Sequence, residues 1–242
     1  MNNEIRDYSN IILKSYLWVI IFAIAFAYVE GAVVIYLRKI YFDGSFYFPI
    51  NSLWENGKRV VDHFVLIEFG REISTIIMLI SIGWAAGRNE VQKFSFFIIA
   101  FGVWDIFYYV WLWVLSGWPE SLMTWDLLFF IPLPWVGPVI TPILIALAMV
   151  VTGSMMVYCD LKVCKIKWQK KDWIIEFGCG FLMIVAFCWD WKNIIRLPDG
   201  ILRDGIPTEF AWWLFLPPYF FSIVYFAIRL RHIVNDGKPF PE

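Results

Sequence analysis

Glu30, Glu68, Arg71, Glu72 and Asp105 stand inside runs of sequence otherwise apolar enough to cross a bilayer. An ionised side chain at the centre of a membrane costs about 2.5–3.5 kcal/mol even on the mildest insertion scale. Several such groups in one small chain must be paired, hydrated or used. Carboxylates and a guanidinium offer ion pairing, proton exchange and the binding of cations through oxygen.

Spacing puts these groups on common helix faces. Glu68, Arg71, Glu72 and Thr75 follow an i, i+3, i+4, i+7 pattern, so they share one side of a helix. Arg71 presents a planar fork suited to Glu68, to Glu72 or to an acid from a neighbouring helix. Tyr108 and Tyr109 lie one turn beyond Asp105, and Gly102 one turn before it. The two tyrosines therefore bring hydroxyl donors to the face of Asp105. Beside Glu30, the residues Ala23, Ala27 and Gly31 recur every fourth position, a small-residue stripe that lets helices approach closely.

Composition says which elements must carry these side chains. Of 242 residues, 60% are hydrophobic and 17% charged, and the mean hydropathy is +0.65. A soluble domain averages about 25% charged residues. Aromatic residues make up 20% of the chain, with 15 Trp, and many fall near span ends, where aromatic belts form. A net charge of −1 gives no electrostatic reason to expect nucleic acid. Cys159, Cys164, Cys179 and Cys188 form no CxxC pair, and they read as apolar fillers or reduced thiols.

A span needs about 20 mostly apolar residues. Residues 11–37, 64–86, 94–113, 136–158, 173–189 and 210–228 qualify. The expected fold is all-α, a polytopic membrane helix bundle of about six transmembrane helices in a single integral domain, 1–242. Between the third and fourth spans, residues 127–135 are apolar but contain Pro132 and Pro134. Too short to cross, they predict an interfacial or re-entrant segment, which reads first as an interfacial anchor and second as a lid from which Asp126 reaches the acids. Pro142 predicts a kink in the fourth span, and Pro217-Pro218 a break in the sixth. Asp190 and Asn193 fall near the mouth of such a site, and 198–200 and 204–205 read as turns.

Loop charge orients the bundle. With the N-terminus inside, twelve of the 20 Lys and Arg fall on the inner side and seven outside, the remaining one being Arg71. This excess places both termini in the cytoplasm. At about 1.5 Å per residue, Glu30, Glu72 and Asp105 then lie at similar depth in the outer half, roughly 11–12 Å from the outer helix ends. Glu176 falls near the inner surface instead. Four carboxylates against one guanidinium would leave a charge of about −3, which a low-dielectric interior cannot hold unaided. Protonation of some carboxylates, a hard cation bound through oxygen or a water-filled vestibule each resolves this excess. A structural role, with Arg71 locking helices through Glu68 or Glu72, is the competing explanation.

Several chemistries are excluded. Only His63 and His232 are present, so no buried histidine pair exists for a b-type haem. No P-loop, GxSxG elbow or HExxH occurs. No cofactor is implied.

The order of Tyr28-Val29-Glu30-Gly31-Ala32, Glu68-Phe69-Gly70-Arg71-Glu72, Gly102-Val103-Trp104-Asp105 with Tyr108-Tyr109, and Trp125-Asp126 with Pro132, Pro134 and Pro138 resembles a group of uncharacterised multi-span bacterial membrane proteins. That resemblance covers most of the chain and implies a bacterial cytoplasmic membrane. It carries no activity with it.

The expected site is a pocket formed by Glu30, Glu68, Arg71, Glu72, Asp105, Tyr108, Tyr109 and Asp126. It would bind or pass a proton, a metal cation or a cationic lipid headgroup. The alternatives are an accessory subunit packed among other membrane subunits, and an enzyme acting on a lipid-borne substrate.

Overall fold

In apolar surroundings a backbone satisfies its N–H and C=O groups most readily within its own helix, and that is how most of this chain folds. The structure, a computed structural model, describes residues 2–41, 54–55, 58–59, 61–129, 131, 133–162, 168–189 and 209–236. Among them run six helices: α1 Asn2–Tyr41, α2 Val61–Ala86, α3 Glu90–Ser116, α4 Ile140–Lys162, α5 Lys170–Cys188 and α6 Trp212–Asp236. Two short antiparallel hairpins accompany the bundle. One pairs β1 Trp54–Glu55 with β2 Lys58–Arg59; the other pairs β3 Trp125–Phe129 with β4 Trp135–Pro138. Asp190, Asn193, the turns at 198–200 and 204–205, Pro132 and Cys164 lie outside the described residues.

Four helices contain stretches long and apolar enough to cross a membrane: Tyr8–Lys39, Glu90–Ser116, Ile140–Leu161 and Trp212–Ile233. α2 and α5 carry charged side chains along their length and are not among these four.

α3 is the strut of the bundle, packing against α1, α2 and α4. Its start is fixed by Asn89, whose side chain accepts from the Gln92 N–H, and its end by Gly117 at φ 74°, a left-handed conformation that suits glycine. Close packing along α3 depends on missing side chains. A Cβ on Gly102 would lie 2.5 Å from the Ala146 carbonyl oxygen of α4, and one on Gly83 would lie 2.7 Å from the Phe97 backbone nitrogen. On α1, Ala23, Ala27 and Gly31 are buried as the stripe predicts, and the Trp111 indole of α3 donates to the Ile24 carbonyl at 3.0 Å.

α5 packs chiefly on α6. Where the start of α5 meets the last turns of α6, Asp172 accepts from the Tyr225 hydroxyl at 2.6 Å and from Arg229 at 2.9 Å. Burial opposes the charge of Asp172, but hydrogen bonds from Tyr225, the Gln169 backbone and Arg229 outweigh it and hold the carboxyl below the usual range.

Three sequence expectations need correction. The stretch containing 127–135 is part of the β3–β4 hairpin, so Val136 and the residues up to Pro138 pair with β3 instead of opening the fourth helix. Pro142 sits in the first turn of α4, where its missing N–H has no intrahelical role, so it does not kink a span. Pro217 and Pro218 lie inside α6, which continues through them. Cys159, Cys179 and Cys188 are buried.

Candidate functional site

Three helices and the second hairpin turn polar side chains toward one place because their other faces are apolar. On α2, Glu68, Glu72 and Thr75 are buried while Leu66, Ile67, Ile73 and Ile77 are exposed. The charged stripe therefore faces the bundle and the aliphatic one faces outward. Glu30 and Arg38 on α1, and Asp105 and Tyr109 on α3, are buried in the same way.

These side chains surround a cavity of about 320 Å³. Seven of the eight residues named from sequence line it: Glu30, Glu68, Arg71, Glu72, Asp105, Tyr108 and Tyr109. The eighth, Asp126, lies behind the wall, where its carboxylate accepts from the Tyr109 hydroxyl at 3.1 Å. The hairpin supplies Leu127, Leu128, Phe129 and Trp135 on one side, and α5 closes the far side through Met183 and Phe187. Gly137, opposite Asp126 in the ladder, leaves the space that the Phe187 ring fills; a Cβ there would stand 2.9 Å from it.

Arg71 is the hub. Its Nε donates to Glu68 Oε2 at 2.8 Å, and it forms a second ion pair with Glu30 of α1. Thr75 donates to the other oxygen of Glu30 at 3.4 Å. One guanidinium thus ties α2 to α1 through Glu30 while holding Glu68 of its own helix, the fork geometry that favours Arg over Lys.

A second guanidinium joins the site, one that the sequence does not single out. Arg38 stands one position past the last apolar residue of the first predicted span, where it reads as loop charge. Because α1 runs on to Tyr41, Arg38 is instead carried into the bundle, buried, 3.3 Å from Asp126 Oδ1. Its guanidinium lies 4.5 Å from the centre of the Trp118 ring, a cation–π contact. Trp118 is accordingly buried, not part of an interfacial belt. Burial pushes the Asp126 carboxyl up, while Arg38, Tyr109 and the Leu127 backbone pull it down. The only sequence signal for Arg38 is its place seven residues, two turns, beyond Gly31 on a stripe expected to face inward.

Asp105 is different. It is 9% exposed and lines the cavity, with Asp126 as its charged neighbour. Among the described residues no hydrogen bond or ion pair reaches its carboxylate. The Trp104 and Trp135 indole N–H groups, also on residues of the wall, are buried without an acceptor among the described residues. With Asp126 and Arg38 included, five carboxylates face two guanidinium groups, an imbalance of three. Among the described residues, no group of three His, Cys, Asp or Glu is placed to hold a metal ion. Glu176 lies away from this cavity.

No family model matches this chain, and no curated protein or solved structure is similar to it.

Proposed function

We propose that this is a six-span protein of a bacterial cytoplasmic membrane, both termini cytoplasmic, whose outer-half pocket binds a hydrogen-bonding cation. The ligand class is a primary ammonium, carried by a lipid headgroup or by a small free amine; a proton on Asp105 is its minimal occupant. The observation that carries this reading is Asp105, a cavity-lining carboxylate nearly shut off from solvent, with no hydrogen-bond or ion-pair partner of its own among the described residues. A buried charge without a partner is strongly destabilising, and a cation offering N–H donors would meet the need. The spacing of the acids lends less support to a metal ion.

Six spans are supported by the outward faces of the two helices that composition leaves in doubt. α2 exposes Ile77, Ile80 and Trp84, and α5 exposes Ile174, Phe181 and Leu182. At 26 and 19 residues they reach roughly 39 and 28 Å, against a hydrocarbon core of about 30 Å.

The test is calorimetric titration of ethanolamine into the purified chain in nanodiscs of anionic lipid, repeated with phosphatidylethanolamine in the disc. Saturable binding is expected, absent in Asp105→Asn and weakened in Glu72→Gln. Phosphatidylethanolamine competes if the natural source is a headgroup and has no effect if it is a free amine. Identical titrations for the parent and both variants would remove the proposal, as would no binding at all.

A further inference from the structure

A second cavity, of about 240 Å³, lies between α3, α4, α5 and α6. It adjoins the first, sharing Ile145, Met149, Gly180 and Met183 with it. One acid enters it. Glu176 Oε2 accepts from the Ser222 hydroxyl at 2.5 Å, and Oε1 is buried with no hydrogen-bond partner among the described residues. No basic residue is among those described along its wall. The wall is aromatic instead. Phe94 meets Trp173 edge-on with ring centres 4.7 Å apart, Trp173 stacks on Phe177 at 5.7 Å, and Trp168 stacks on Phe226 at 5.8 Å. All five rings line the cavity together with Glu176.

A carboxylate oxygen left unmatched in apolar surroundings calls for positive charge. Aromatic faces attract a cation through their quadrupole without needing a donor from it. Rings around a single carboxylate therefore select a different cation from the outer pocket, whose many oxygens reward N–H donors. We infer that this second cavity is an aromatic cage for an alkylated ammonium group, with Glu176 as its counter-ion. The trimethylammonium group is the simplest member of the class, and it occurs both in free choline and in phosphocholine lipid heads. The cage stands independently of the outer-pocket reading, since none of its five rings and neither oxygen of Glu176 takes part there.

The experiment follows tryptophan fluorescence of the full chain, in nanodiscs of lipid lacking choline, during titration with choline and with its uncharged carbon isostere 3,3-dimethylbutan-1-ol. Choline is expected to saturate the signal and the isostere to leave it flat. Glu176→Gln should weaken choline binding by about tenfold or more, while Asp105→Asn leaves it unchanged. Should Glu176→Gln not fold, Phe226→Leu keeps an apolar wall without the ring face, and the same loss is expected. A short-chain phosphocholine lipid that displaces choline identifies a headgroup as the source; failure to displace identifies the free cation. Equal responses to choline and its isostere would overturn the cage. So would parent-like choline binding in both Glu176→Gln and Phe226→Leu. Loss of choline binding in Asp105→Asn alone would assign the ligand to the outer pocket and also overturn the cage.

Discussion

Arg71 and Asp105 sit on the same cavity wall, yet their removal should move stability in opposite directions. Arg71 shares one positive charge between Glu30 and Glu68, so Arg71→Ala strands two buried acids. Breaking a buried pair from one side costs about 3–5 kcal/mol, and a large drop in the thermal unfolding temperature in detergent is the expected result. Arg71→Lys should recover part of it, since a point charge replaces some of the attraction but not the fork. Asp105 has no ion pair to lose among the described residues. Asp105→Asn keeps the shape and removes a buried charge, so the unfolding temperature should hold or rise while ethanolamine binding disappears. That combination is the mark of a site whose function costs stability. If Asp105→Asn instead unfolds as readily as Arg71→Ala, its carboxylate is structural.

At the scale of elements, the position of Asp105 depends on how closely α3 lies against α4. Gly102, one turn earlier, has the Ala146 carbonyl oxygen and the Val150 side chain where its Cβ would be. Gly102→Ala must push the helices apart, and overpacking of this kind costs about 1–3 kcal/mol. Gly70, in the middle of the charged stretch of α2, has nothing within 4 Å of the place its Cβ would take. Gly70→Ala should therefore be neutral or gain up to about 1 kcal/mol from helix propensity, and paired thermal melts separate the two outcomes. The α5–α6 pair is held differently, by Asp172 under Tyr225 and Arg229. A carboxyl held low in the folded chain contributes stability above its unfolded value and loses it as pH falls through the folded one. Asp172→Asn should be less stable than the parent at neutral pH, with the gap closing below about pH 4, where an unfolded Asp takes up its proton. A gap that stayed constant down to pH 2 would mean that Asp172 contributes shape and not charge.

For the whole molecule, legibility followed contrast. Glu30, Glu68, Arg71, Glu72 and Asp105 are conspicuous because each interrupts an apolar run, and helical periodicity then gives their faces. Arg38 offers no such contrast: it follows the apolar run of α1, and only the continuation of that helix to Tyr41 brings it inside. The hairpin is hidden for a related reason. Its strands are five and four residues long, too short to show alternation, and the burial of Asp126 depends on partners distant in sequence. The aromatic cage draws Phe94, Trp168, Trp173 and Phe226 from three helices and a loop, and nothing local distinguishes those rings from lipid-facing ones. The number of crossings is where composition and outward apolar faces diverge, and exposed connecting residues can decide it. Asn89, Glu120, Gln169 and Glu209 are all exposed. In a background whose four cysteines are replaced by alanine, each is changed singly to Cys and labelled in intact vesicles with an impermeant maleimide. With six spans, Asn89→Cys and Gln169→Cys react from the side of the N-terminus, and Glu120→Cys and Glu209→Cys from the other. If α2 does not cross, Asn89→Cys moves to the face opposite the N-terminus; if α5 does not, Gln169→Cys and Glu209→Cys share a face. Either pattern would leave the charged stripe of α2 or the Glu176 cage outside the bilayer, where exposed charges pair weakly and the selection for a buried cation would vanish.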